Sequence, residues 1–401
     1  MALFQRSSRL AVAVASVLVV GATAACGDGS SPRASDPVVR DSAGVAIVEH
    51  PAGLPDEPAW TVDMGEAVHL TGDFFQVVGA FSLSDGRIVV GNGGSREVRF
   101  YGADGSLERT VGREGEGPGE FRSMSVVRPW PGDSVFVYDW QLRRATLLDS
   151  WGELGRTFSL AVSDEVPFAN VRGVHADGSM MATGFAQMGG EVPSGRIRVP
   201  SPAYRFHPDG SLFGIHPVEP SSEGYYEALD GGFRVRTPLF ARSTHLLAGP
   251  EILVEASNDS WEIRIREPTG ELVRIVRRAF RPAQVTDALR REAIEREVTR
   301  VSGEAEGDEL RRTLQGMPVP DRVPAFAMVT VDRRNRIWVA EWGPEARGRD
   351  ASWTVLGPDG EVVARARTPG GLTPQEIGSD YIVGVVRDDL DVERVVRVPL
   401  G

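Results

Sequence analysis

The sequence predicts an all-β fold: a six-bladed β-propeller whose N- and C-terminal strands close one blade, with a short helical insertion before blade five. Three observations carry this expectation. A turn followed by a strand recurs five times, pairs of short strands stand upstream of each turn, and a glycine-built connector, Arg113-Glu-Gly-Glu-Gly-Pro-Gly-Glu-Phe121, joins two of these units. The turns are Ala103-Asp-Gly-Ser-Leu107, Ser150-Trp-Gly-Glu-Leu154, Pro208-Asp-Gly-Ser-Leu212, Pro268-Thr-Gly-Glu-Leu272 and Pro358-Asp-Gly-Glu-Val362. Each glycine suits the positive φ of a tight turn, and each following Leu or Val opens a strand.

Taken in order, the paired strands are Gly86–Val90 with Glu97–Tyr101, Asp133–Tyr138 with Ala145–Leu148, and Met180–Thr183 with Ala203–Phe206 across a longer loop. Ile252–Glu255 with Trp261–Ile265 and Arg336–Ala340 with Ser352–Leu356 follow. Ahead of each pair is a shorter apolar strand: Val77–Ser82, Met124–Arg128, Val171–Val174, Phe240–Ser243 and Ala327–Val331. Four strands per unit are what a radial array requires. A sixth unit has Asp380–Val386, Glu393–Val398 and a short strand near Gln375–Ile377, but no marked fourth strand. The missing strand is expected from Ala59–Asp63 or Val45–Glu49, which removes the open edges of a linear array. Between blades four and five, Arg281–Gln315 is charged and helical in period, with Val285, Leu289, Ile294, Val298, Val301, Leu310 and Leu314 as its apolar stripe. Gly303 and Gly307 divide this insertion, about residues 283–316, into two helices. It serves either as a lid or partner-binding element or, more ordinarily, packs its stripe on the propeller rim.

The N-terminus reads as an address. Arg6 and Arg9 precede the apolar run Leu10–Val20, and Gly21-Ala-Thr-Ala-Ala25 supplies small residues for cleavage. The run is too short for a confident membrane span. Thr23-Ala-Ala-Cys26 resembles the lipobox of bacterial lipoproteins, which implies a lipidated Cys26 as the first mature residue. Thr23 stands where that family usually has leucine, so ordinary cleavage after Ala25 stays open. Cys26 is the one cysteine of the chain, so neither an intrachain disulfide nor a cysteine metal cluster can form. A small, polar, proline-broken stretch follows it, with the composition of a tether. The organisation expected is therefore a signal peptide over 1–25, lipidated cysteine and tether over 26–43, and propeller over 44–401. All 44 basic residues are arginine, and the net charge of −12 leaves no basic stripe for nucleic acid.

Gly112-Arg-Glu-Gly-Glu-Gly-Pro-Gly-Glu-Phe121 resembles the interblade signature of NHL-type propellers, and Val135-Phe-Val-Tyr-Asp139 followed by Arg143 or Arg144 resembles that family's strand core; Ala340-Glu-Trp342 is a weaker copy. The body over about 44–401 resembles bacterial six-bladed propeller lipoproteins of this type. The resemblance is specific for fold and implies no particular ligand.

Chemistry is less legible. The six histidines sit in no metal-ligand spacing, no nucleophile elbow is present, and the glycine-rich connector lacks the lysine and βαβ context of a phosphate loop. No catalytic residue and no metal ligand is assigned. The site expectation rests on geometry. In a propeller the interblade loop and the loop after the second strand share one face, which would carry Arg113, Glu120, Arg122, Asp139, Trp140, Asn170, Arg172, Asn258, Glu341 and Trp342. Exposed Trp and Arg are common interface anchors, while acids at these positions also serve as braces of the blade. The function expected is an exported, lipid-anchored binding or scaffold protein of the cell envelope, non-enzymatic and cofactor-free, taking a protein, peptide or glycan on this face. The alternative is a calcium-dependent lactonase or esterase resembling gluconolactonase and paraoxonase, in which Asn92, Asn170, Asn258 and Asp380 would offer oxygen ligands to a channel ion.

Overall fold

The computed structural model describes residues 36–53, 59–161, 169–184, 194–199, 201–218, 221–229, 232–299, 301, 303–343, 350–387 and 392–401. The expected signal peptide, Cys26 and the start of the tether lie outside these residues. Val38–Ser42, within the expected tether, is an exposed strand paired with Val45–His50.

Six antiparallel blades are present among the described residues. Blade one is Val77–Ser82, Ile88–Asn92, Glu97–Tyr101 and Leu107–Val111. Blade two is Met124–Trp130, Ser134–Asp139, Arg144–Leu148 and Leu154–Ser159. Blade three is Asn170–Val174, Met180–Thr183, Ser201–Phe206 and Leu212–Val218. Blade four is Thr244–Ala248, Leu253–Ser257, Glu262–Arg266 and Leu272–Arg278. Blade five is Phe326–Val331, Ile337–Glu341, Ala351–Leu356 and Val362–Thr368, and blade six is Leu372–Ile377, Tyr381–Arg387, Glu393–Pro399 and Val68–His69. The five marked turns form as expected: Gly105, Gly152, Gly210, Gly270 and Gly360 all have φ between +80° and +94°. That conformation costs glycine nothing and a side chain much.

The first strands line a central channel, where a single cavity touches all six of them. The cores lie between blades. Phe81, Phe100, Phe121, Val127 and Val137 pack together between blades one and two, and Ala340, Trp353, Ile382 and Val396 do so between blades five and six. In five blades a bulge interrupts pairing of the first and second strands. Bulges of this kind bend a strand and re-aim the extra residue.

Three expectations are corrected. Blade four begins at Thr244 rather than Phe240, because Leu239 and Phe240 are held in an apolar cluster under the helices. The strand closing blade six is Val68–His69, paired with Val396 and Arg397 of the last strand. The two stretches expected to do this lie elsewhere: Val45–His50 adds parallel to the outer strand of blade four, and Ala59–Thr61 adds parallel to that of blade five. The N-terminal segment is thus a belt over three outer edges. His50 fastens it through its Nε2, 2.8 Å from the Gly360 carbonyl. Gly307 does not break the insertion. Helix α1 runs Asp287–Val298, capped by Thr286, and α2 runs Glu304–Gly316, with Gly307 inside it against Val298.

Candidate binding site on the loop face

The connector from blade one to blade two is built by two residues of blade two. Asp139, fully buried at the end of the second strand, accepts the N–H groups of Arg122 at 2.6 Å and Ser123 at 2.9 Å on one oxygen. Its other oxygen takes those of Gln141 at 3.0 Å and Leu142 at 2.9 Å. Arg144 donates to the carbonyls of Glu116, Gly117 and Glu120. The Asp at the strand end and the Arg five positions beyond it therefore clamp donors and acceptors of the connector, and the Asp holds its own hairpin turn as well, which is the physical content of the motif noted above. Glu120 accepts from Gly117 N at 2.8 Å and pairs with Arg113, and these contacts, the Gly117 bond first, hold its carboxyl below the usual range. Arg122 pairs with Glu116 on the surface. Phe121 is buried between the blades.

The equivalent strand ends carry Asn92, Asn258 and Glu341. Asn92 accepts from Phe75 N and Asn258 from Ser243 N, each holding the incoming loop as Asp139 does. Glu341 instead pairs with Arg365 at 2.9 Å. The two tryptophans expected at equivalent places differ as well. Trp140 is 45% exposed and donates to Ser123 Oγ, whereas Trp342 packs against Phe240, ring centroids 5.8 Å apart.

Trp342 and Asn258 both line a cavity on this face. It holds about 360 Å³ and lies between α1 and α2 on one side and blades four and five on the other. Leu239, Phe240, Leu310, Leu314 and Phe326 give it an apolar wall, with Arg236, Arg296 and Glu297 at its polar edge. The helical stripe expected on the rim thus packs over the loop face, where Ile294 and Leu314 are buried with Leu239 and Phe240.

A three-stranded sheet that sequence reasoning missed braces this wall: Gly195–Arg198, Glu223–Leu229 and Gly232–Arg236. Arg196 fastens it. Its guanidinium is bidentate to Glu223 at 2.9 and 2.6 Å, and donates to the carbonyls of Leu239 at 3.1 Å and Pro318 at 2.8 Å. Burial raises the Glu223 carboxyl, but Arg196 and the Arg242 N–H outweigh it and hold the group below its ordinary value. The sheet escaped notice because its outer strand, Gly232–Arg236, is mostly exposed and carries no buried face.

Arg113, Glu120, Arg122, Asp139 and Trp140 form one patch around the first connector, while Asn258 and Trp342 form the cavity. Asn170 touches neither. Arg172 belongs to the channel rather than the loop face, because it is the extra residue of a bulge between Val171 and Gly173.

No protein-family model matches the chain, and no curated protein matches it. Solved structures do resemble it. A member of the DUF4221 family from Bacteroides vulgatus superposes with a TM-score of 0.51 at 12% identity, over 92% of this chain and 99% of that one. A candidate exported protein from Bacteroides fragilis gives 0.49 at 9% identity, over 88% and 99%. A virginiamycin B lyase from Staphylococcus aureus gives 0.40 at 11%, over 85% and 100%. At these identities the likeness speaks to fold alone: the chain is a six-bladed β-propeller.

Proposed function

We propose that the protein is an exported binding protein, lipid-anchored through Cys26, which holds a peptide or protein partner on its loop face. An apolar side chain of the partner occupies the cavity beneath α1 and α2. The observation that carries this reading is the cavity itself. Its size falls in the range of ligand sites, about 300–1,000 Å³, its wall is apolar, and charged groups stand at its edge. Its aromatic lining, Phe240, Phe326 and Trp342, stands beside Leu239, Leu310 and Leu314, a mixed apolar wall that suits an apolar peptide side chain better than a glycan. A displayed random-peptide library tests it. The intact chain is expected to select peptides sharing an apolar anchor, bound about thirtyfold less tightly by Trp342→Ala. Ala293→Trp, which fills the cavity from α1, abolishes selection while the fold persists. Equal selection by both variants refutes the reading. Cys26→Ser is expected to release the chain from the membrane fraction.

The calcium-dependent hydrolase has less support. Two of its four expected oxygen ligands, Asn92 and Asn258, have their side-chain oxygens committed to Phe75 N and Ser243 N.

A further inference from the structure

The channel carries more positive charge than its own side chains neutralise. A cavity of about 180 Å³ lies toward the end where each first strand turns into its second, and it is lined by Arg128 of blade two, Arg172 of blade three and Arg333 of blade five. Two carboxylates share the lining, and both are spent on protein donors. Asp332 accepts from Arg336 Nε at 2.5 Å and from the Trp338 indole at 2.9 Å. Glu376 pairs with Arg333 at 2.7 Å and accepts from Ser82 N and the Tyr381 hydroxyl, both at 2.9 Å.

That leaves Arg128 and Arg172. Among the described residues neither has a carboxylate within 4.0 Å. Arg128 Nη1 donates to the Val127 carbonyl at 2.9 Å and, at 3.4 Å, to that of Val78; Arg172 Nε donates to Thr183 Oγ1 at 2.9 Å. A guanidinium has five N–H donors in a planar fork suited to oxyanions, so most of these donors are left to the cavity. Arg128 is half-buried and Arg172 is open to the channel; partial loss of water pushes both pKa values below the ordinary arginine value, with the Glu376 charge offsetting this in part at Arg128. Guanidinium forks that face the cavity without a paired acid are open to an oxyanion that supplies the counter-charge. The acidic exterior, at a net −12, makes this cationic pocket a local exception.

We propose that this end of the channel is an anion site, taking a small molecule that presents a carboxylate or phosphate group to Arg128 and Arg172. The cavity has room for about six waters or one small organic acid. The site is separate from the loop-face cavity and independent of the peptide-binding reading.

Isothermal titration of the full chain with succinate and with inorganic phosphate, in constant sodium chloride, tests it; calcium chloride is the charge control. At least one anion is expected to bind saturably at one site and to raise the melting temperature, with no such effect from calcium. Succinate alone binding identifies a carboxylate ligand, and phosphate alone a phosphate ligand. Arg172→Gln, which gives up a single protein contact, is expected to weaken binding about tenfold or more. Arg172→Lys, which keeps the charge and loses the fork, falls between. Trp342→Ala leaves anion binding unchanged, which separates failure here from failure at the loop face. The proposal is overturned if neither anion gives saturable heat, if Arg172→Gln binds undiminished, or if chloride at equal ionic strength stabilises as well.

Discussion

Asp139 supports the end of one connector with two backbone bonds and its own turn with two more, and those N–H groups have no other acceptor among the contacts described. Asp139→Ala is expected to cost about 3 kcal/mol, because buried donors left unpaired carry a desolvation penalty. Asp139→Asn should cost about 1 kcal/mol, since Asn92 and Asn258 hold the corresponding loops of blades one and four through an amide oxygen. Urea unfolding of both variants checks this, and equal losses would contradict it. Arg172 teaches a different lesson at the same scale. Its place in the sequence put it near the loop face, and one inserted residue in the strand turned it into the channel. A bulge depends on pairing with a partner strand, which composition does not record.

The helices and the three-stranded sheet are held to the loop face by a few contacts, with Arg196 central among them. Arg196 and Glu223 are each 12% exposed at the side chain, so breaking the pair leaves a poorly solvated charge. Arg196→Ala is expected to cost about 3 kcal/mol and to loosen the cavity wall, lowering peptide affinity without touching the peptide. The pair also sets a pH dependence. The folded-state pKa of Glu223 lies below its ordinary 4.5. The unfolded chain therefore takes up the proton first as pH falls, and this stabilisation is present above 4.5 and lost as pH drops through the folded value. Melting temperatures followed down from neutral pH should fall more gently for Glu223→Gln than for the native chain; parallel curves would count against the pair. The helices themselves were legible, because a stripe of Leu, Ile and Val at helical spacing is a local signal. Their docking was not, because Leu239 and Phe240 come from the segment before blade four and Trp342 from a loop of blade five.

At the scale of the whole molecule, the ring is closed by two residues and strengthened by a belt. Val68–His69 is a short strand, yet the seam extends through the Val62–Leu400 and Phe74–Glu393 bridges and a hydrogen bond from Thr61 N to the Gly401 carbonyl at 2.7 Å. The belt buries Val48 in the core between blades four and five, and Leu70 and Phe74 in the core between blades six and one. A chain beginning after residue 71 is expected to lose the single cooperative unfolding transition in calorimetry, since blade six then has an open edge and two interblade cores lose apolar side chains. An unchanged transition would show that the last three strands close the ring alone.

The sequence by itself determined the repeat: five turn glycines, strands of short apolar or alternating pattern, a glycine-built connector, and two helices. These are local signals, written in turn chemistry and periodicity over a few residues. Only the tertiary structure decided which outer edge each N-terminal strand joins, where the helices rest, and that the channel is cationic. A strand's own residues do not specify the edge it pairs with. The channel charge is assembled from single arginines on blades two, three and five, each of which looks unremarkable until the ring brings them together.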